Sequence, residues 1–280
     1  MHDAGRRLSQ GDFSARVGPA LGRRPDESAE FSATFDQMAE RIESLVRAHK
    51  DLLRDVSHEL RSPLARAHAA LSLARQRPNE AVDDHLERVE AEIERLNGMI
   101  GRLLTFSRLD SGERPMQKEP IELVDMLHDI VEASRLEAEP SAKCVTLHSD
   151  EAVVVPGDHD LLASCFENVI RNAIRHTPAN TTVEISLSRN NGSARYCCVT
   201  VRDYGDGVPE SQLRRIFEPF HRVQPGATSL NGRSGIGLAI AKQAVGWHEG
   251  SISAANAPDG GLIVAILLPV DRDDISGAIS

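Results

Sequence analysis

Apolar positions in the first part of the chain keep a helical rhythm. From Phe31 they fall at Phe35, Met38, Ile42 and Leu45, in steps of four, three, four and three, with mostly Glu, Arg, Asp and Gln between them. A seam of that period makes a helix pack lengthwise against a partner helix. It runs on through Leu52 and Val56 and breaks at Arg77-Pro78-Asn79, because proline disfavours helix in the residue before it. A second run follows at Leu86, Val89, Ile93, Leu96, Ile100 and Leu103. It stops at Leu109-Asp110-Ser111-Gly112, with Pro115 just beyond, which reads as a helix end and a domain boundary. Two such helices joined by a short turn predict an antiparallel hairpin. One hairpin cannot cover its own seam, so the pattern predicts a homodimer in which two hairpins form a four-helix bundle.

Past Pro115 the texture changes. Strand-like runs at 144–147, 153–155, 183–187, 197–201, 252–254 and 262–268 alternate with helical stretches near 123–138, 158–175 and 235–247. Val183, Ile185 and Leu187 alternate with polar residues, the mark of a half-buried strand. The whole predicts an α+β chain: a helical-hairpin domain, then an α/β sandwich with one sheet layered on helices.

Composition adds exclusions. A length of 280 residues suits two domains, or one domain plus long helices. The net charge of −10 argues against nucleic acid as the main partner, since phosphate binding needs a basic surface. Cys144, Cys165, Cys197 and Cys198 have no zinc-like or C-x-x-C spacing and read as small buried hydrophobes. No apolar run approaches the roughly 18–20 residues of a membrane span, and the start lacks a secretory core. As given, the chain reads as soluble and cytoplasmic.

Candidate chemistry starts inside the first long helix, at Asp55-Val56-Ser57-His58-Glu59-Leu60-Arg61-Ser62-Pro63-Leu64. A proline in a helix interior costs about 3 kcal/mol and usually bends it, and here it follows an adjacent His-Glu pair by one turn. A neutral imidazole nitrogen is a competent nucleophile towards phosphorus, and a neighbouring carboxylate can hold the other ring N–H. Taken alone, such a pair on a helix is usually just solvated. The full segment, however, resembles the phosphoacceptor box of the HisKA class of sensor histidine kinases. That resemblance implies that His58 is phosphorylated and that Glu59 orients and deprotonates it. The class usually has Thr or Asn four residues after the histidine, where it positions water for dephosphorylating the response regulator. Ser62 stands there and keeps a hydroxyl.

The C-terminal half holds further candidates in order. Glu167-Asn168-Val169-Ile170-Arg171-Asn172-Ala173-Ile174-Arg175-His176 reads as a helix, with Asn168 and Asn172 on one face. An amide oxygen suits Mg²⁺, and Arg175 and His176 can meet phosphates or the nucleotide's edge. Asp203-Tyr204-Gly205-Asp206-Gly207 follows a strand, so the carboxylate can accept from an adenine amine while glycines let backbone approach the base. Phe217-Glu218-Pro219-Phe220 precedes a Gly/Ser/Asn/Pro-rich loop to Ser234, composed like a lid. Gly232-Arg233-Ser234-Gly235-Ile236-Gly237-Leu238 then opens a helix whose N-terminus can receive phosphate. Each feature is ordinary by itself: two Asn on a helix suit a surface, and D-x-G-x-G suits a turn.

In this order they resemble the N, G1, F and G2 boxes of the GHKL-type ATPase fold, which implies a Bergerat ATP-binding sandwich. By position, Asn172 would bind Mg²⁺, Asn168 the phosphates and metal, and Asp203 adenine. Gly205 and Gly207 would shape the base pocket, and Gly235, Gly237 and Leu238 the phosphate cradle. Arg233 departs from the family, where glycine is common. Leu8-Ser9-Gln10-Gly11-Asp12-Phe13, Asp26-Glu27 and Phe35-Asp36-Gln37-Met38-Ala39 look like the second half of a HAMP linker. The resemblance therefore implies a partial HAMP linker at 1–47, a dimerisation and histidine-phosphotransfer hairpin at 48–112, and a catalytic ATP-binding domain at 113–280. As a whole, the chain looks most like the Cpx-type envelope-stress sensor kinases. The implied parent sits in the inner membrane through missing N-terminal segments. The implied activity is ATP-dependent autophosphorylation of His58, then transfer to an aspartate on a response-regulator receiver domain. Two rival readings are a regulator phosphatase and an ATP-binding scaffold that transfers nothing.

Overall fold

The computed structural model describes residues 2–9, 12–17, 27–76, 82–111, 117–149, 151–189, 195–223 and 235–270. The chain divides into two units, residues 1–62 and 63–280.

In the first unit, helix α1 (His2–Ser9) leads to a turn built on Asp12. Arg7 grips Asp12 Oδ2 through Nε and Nη2 (3.0 and 2.7 Å), while Asp12 Oδ1 accepts from the Ser14 N–H and hydroxyl. The following segment is tied to helix α2 (Glu27–Gln76): the Val17 N–H donates to Asp36 Oδ1 at 2.6 Å, and Arg16 pairs with Glu43 at 2.7 Å. The α2 residues buried here are the small Ser32 and Ala39, whereas Met38 stays 50% exposed. Of the expected seam, Phe35 and Ile42 are half-buried and Met38 is exposed, while small residues let the segment approach.

In the second unit α2 runs on through Pro63, which is buried without ending the helix. The expected break at 77–79 lies outside the described residues. Helix α3 (Val82–Ser111) follows. Glu92 on α3 is buried but receives a bidentate Arg66 guanidinium from α2 (3.0 and 2.9 Å) and Arg95 at 2.6 Å. Arg66 first, with Arg95, holds this carboxyl below its usual range, so burial leaves no uncompensated charge. Leu86, Ile93 and Ile100, spaced by seven on α3, remain 42%, 48% and 45% exposed.

The sandwich contains strand β1 (Glu119–Glu122), helix α4 (Leu123–Ala138), strands β2 (Cys144–Ser149) and β3 (Val154–Gly157), and helix α5 (His159–His176). Strands β4 (Thr182–Arg189) and β5 (Tyr196–Arg202), helix α6 (Gly237–Trp247), and strands β6 (Ser251–Asn256) and β7 (Leu262–Pro269) complete it. Five strands form one sheet in the order β2-β4-β5-β7-β6, with β2 and β4 parallel and the other pairs antiparallel. Alternate residues such as Ile185, Val199, Val201, Val264, Ile266 and Leu268 turn inward and meet Leu127, Leu162, Phe166, Ile170 and Ala244 from the three helices. The α+β expectation holds, with two departures. β3, foreseen as a strand, pairs antiparallel with the unforeseen β1 in a separate two-stranded sheet. Of the four free cysteines only Cys165 and Cys197 are buried; Cys144 is exposed and Cys198 half-buried, because adjacent residues of β5 face opposite sides. Burial pushes the Cys165 thiol up to about 12 and that of Cys197 to about 11, so neither is poised to react.

Candidate functional site

The site is assembled where β5 ends. Asp203 leaves the strand buried, and its main chain and side chain both pair with Leu262 at the start of β7. The Asp203 N–H donates to the Leu262 carbonyl at 3.0 Å, and the Leu262 N–H donates to Asp203 Oδ1 at 3.1 Å. The Gly205 N–H adds a second bond to Oδ1 at 2.9 Å. Both donors therefore converge on one carboxylate oxygen, and the Oδ2 lobe remains to accept from a ligand donor. Burial raises the Asp203 carboxyl, opposed by those two N–H bonds and by nearby His176.

The loop that follows is pressed against the end of α5. A β-carbon on Gly205 would lie 2.6 Å from the His176 carbonyl oxygen, so only glycine fits. Thr177, buried just past α5, accepts the Tyr204 N–H at 3.1 Å and pairs with the Thr181 hydroxyl at 3.1 Å. Tyr204 in turn donates to Glu184 at 2.9 Å, and Arg202 stacks 4.4 Å from its ring centroid.

Helix α5 brings the asparagines. Asp158 caps it by accepting the Leu161 N–H at 3.2 Å, and its apolar face sinks into the core. Asn168 and Asn172 are half-buried one turn apart. The Asn168 amide donates from Nδ2 to the Ser164 carbonyl at 2.7 Å, which fixes its orientation and turns Oδ1 towards α6. A β-carbon at Gly237 would meet that Oδ1 at 2.7 Å. The N-terminus of α6, with Gly237 and half-buried Leu238, thus abuts the asparagine face. Just ahead of it the Gly235 carbonyl accepts the Phe220 N–H at 2.9 Å, which ties the F-E-P-F turn to the glycine-rich turn. At the far end of α6, buried His248 accepts the Asp158 N–H on Nε2 at 2.9 Å and its Nδ1 meets the Ala244 carbonyl at 2.7 Å. That pairing requires the neutral ring, and burial pushes its pKa down.

The structure therefore brings together Asp203, Gly205 and His176 at one end of α5, and Asn168, Gly237 and Leu238 along it. Asn172 sits one turn from Asn168. Arg175 and His176 are exposed on the last turn of α5. The lid expected up to Ser234, Arg233 included, lies outside the described residues. His58 and Glu59 lie on α2, with side chains outside the described set; Ser62 is half-buried one turn on. Sequence reasoning missed Ser164, which orients Asn168 from the preceding turn of α5, and Thr177, which receives the Tyr204 N–H; a lone Ser or Thr carries no local motif.

Comparison with known proteins decides the kinship. Residues 48–112 match the His Kinase A (phospho-acceptor) domain, and residues 157–272 match the histidine kinase-, DNA gyrase B-, and HSP90-like ATPase family. Over 271 residues the chain is 30% identical to the signal transduction histidine-protein kinase BaeS of Escherichia coli K12, covering 97% of this chain and 57% of BaeS. The chain belongs to the sensor histidine kinase family. It is 32% identical to the sensor histidine kinase CpxA of the same strain, covering 96% of this chain and 57% of CpxA. The chain thus spans a little over half the length of these curated relatives. Among solved structures, Acinetobacter baumannii histidine kinase AdeS superposes with a TM-score of 0.63 at 18% identity, covering 77% of this chain and 98% of that one. Histidine kinase ThkA, in complex with response regulator protein TrrA, gives 0.66 at 20% identity over 86% of this chain and 67% of that one. These two share the fold of this histidine kinase chain. No described helix is long and apolar enough to cross a membrane.

Proposed function

We propose that the chain is an ATP-dependent protein-histidine kinase that phosphorylates its own His58 and passes the phosphoryl group to an aspartate of a response-regulator receiver domain. The observation that carries this reading is Asp203, a buried carboxylate with Oδ1 bound by two backbone N–H groups and Oδ2 left for a donor such as the adenine amine. Beside it, the glycine start of α6 offers helix N–H groups to phosphate, next to the Asn168 amide oxygen. Asn168 and Asn172 suit Mg²⁺, because amide oxygens are hard ligands and Asn168 is already oriented by Ser164. The ion, when bound, would neutralise charge on the nucleotide phosphates. Arg175 and His176 would meet the nucleotide's edge.

In this reading residues 113–280 hold ATP and residues 48–112 carry the acceptor, while 1–47 are the end of a HAMP linker. The His58 imidazole attacks the γ-phosphorus in line, Glu59 takes the ring proton, and ADP leaves. The unit acts as a homodimer: Leu86, Ile93 and Ile100 form an apolar column left about half exposed in one chain, which a second hairpin would cover. The longer parent protein would sit in the cell membrane with this part in the cytoplasm.

Incubation with γ-labelled ATP and Mg²⁺ tests the reading. The parent chain is expected to gain acid-labile label, and His58→Gln to gain none. Full labelling of His58→Gln removes His58 from the reaction.

A further inference from the structure

The β6–β7 hairpin grips the D-x-G-x-G loop at both ends. At the first end Leu262 exchanges its two hydrogen bonds with Asp203. At the second, the side-chain amide of Asn256 pairs with the peptide groups of Val208. The Val208 N–H donates to Asn256 Oδ1 at 2.9 Å, and Asn256 Nδ2 donates to the Val208 carbonyl at 2.7 Å. Nδ2 also reaches Glu210 Oε1 at 3.2 Å. Asn256 stands directly opposite Leu262 in the antiparallel register, so both grips issue from one rung of the sheet. Gly207, with φ at +71°, lies flush against the same amide: a β-carbon there would be 2.8 Å from Asn256 Oδ1.

We propose that Asn256 is a positioning residue for adenine recognition, whose amide fixes the far end of the 203–208 loop and so sets the spacing of Asp203 and the glycine backbone around the base. This rests on the nucleotide-binding reading above. A carboxamide carries a donor and an acceptor in one plane and can satisfy the N–H and the C=O of one residue at once. Aspartate supplies acceptors alone, and alanine leaves both Val208 groups without that partner. The hairpin does not depend on the amide, because its turn is closed separately by Ala257 N–H to Gly261 O at 3.0 Å and Gly260 N–H to Ala257 O at 3.1 Å. Nor does the Asp203–Leu262 exchange use it. Removing the amide therefore frees one end of the loop and leaves the other clamped.

The test measures dissociation constants of Mg-ATP and Mg-GTP by calorimetry on the whole chain, with thermal melting in the absence of nucleotide. The parent is expected to select ATP. Asn256→Ala is expected to weaken ATP binding and to lower the ATP-over-GTP selectivity by about ten-fold, the scale of one or two lost peptide hydrogen bonds. Asn256→Asp keeps the acceptor for the Val208 N–H but sets a carboxylate oxygen against the Val208 carbonyl and Glu210, so it is expected to lose selectivity too, and it decides the matter if the alanine variant does not fold. A merely structural role lowers the melting temperature and leaves the selectivity ratio alone. Variants that keep the parent's ratio overturn this inference while the nucleotide site stands. A parent that binds no ATP, or does not prefer it to GTP, overturns the adenine reading beneath it as well.

Discussion

A single oxygen carries much of the account. Because Asp203 spends Oδ1 on two backbone N–H groups, Asp203→Asn can keep those bonds with its amide oxygen while presenting an NH₂ group where Oδ2 was. Donor would then face donor at the adenine amine. ATP affinity is expected to fall by about 10- to 100-fold, the cost of an unmatched buried polar group, with melting close to the parent's. Calorimetry and a melting curve together check this. The same carboxyl gives a pH sign. Burial raises its pKa in the folded state, so protonation favours the fold: this contribution to stability is fully present below the unfolded value and is lost as pH rises through the raised one. Adenine binding needs the ionised acceptor and moves the other way. ATP affinity is therefore expected to weaken on acidification before an ordinary aspartate, near 3.9, would titrate.

At the scale of elements, α5 and α6 are joined at both ends: by Asn168 against Gly237 at the site, and by His248 receiving the Asp158 N–H at the opposite end. His248 is buried and its pKa depressed, so its contribution to stability is present above the unfolded value of about 6.5 and is lost as pH falls below it. Urea midpoints of the parent should drop between pH 7.5 and 5.5, and His248→Gln should show a smaller drop across the same interval; an equal drop removes His248 as the cause. These joints explain what the sequence could disclose. The strands of the main sheet and the long helices were legible because their apolar residues repeat with the period of the element. β1 was not, since Glu119-Pro120-Ile121-Glu122 offers one apolar residue and is a strand only through pairing with β3. The boxes around Asn168, Asp203 and Gly237 were legible because each is contiguous. Thr177 and Asn256 were not, because they reach the loop across 27 and 48 residues of chain, and a lone Thr or Asn has no pattern to announce it.

For the molecule as a whole, the open seams matter most. Leu86, Ile93 and Ile100 on α3 form an apolar column that one chain leaves about half exposed, and covering the rest of each would contribute about 1 kcal/mol. Ile93→Glu falls at a position about half exposed in a single chain, where a long side chain can turn its carboxylate to water, so that chain should still fold, yet two carboxylates would meet in a dimer seam. Light scattering after gel filtration is expected to report a dimer for the parent and a monomer for the variant; a dimeric variant places the interface elsewhere. The kinase reading joins the two halves of the molecule by one transfer, from a nucleotide at Asp203, Asn168 and Gly237 to the imidazole of His58. Peptide mass spectrometry at neutral pH, after incubation of the parent chain with Mg-ATP, tests that transfer most directly. The account predicts an acid-labile phosphoryl group on the peptide containing His58, and much less of it on the Asp203→Asn chain at an ATP concentration that does not saturate the variant. A phosphoryl group on any other residue, or none while ATP is bound, contradicts it.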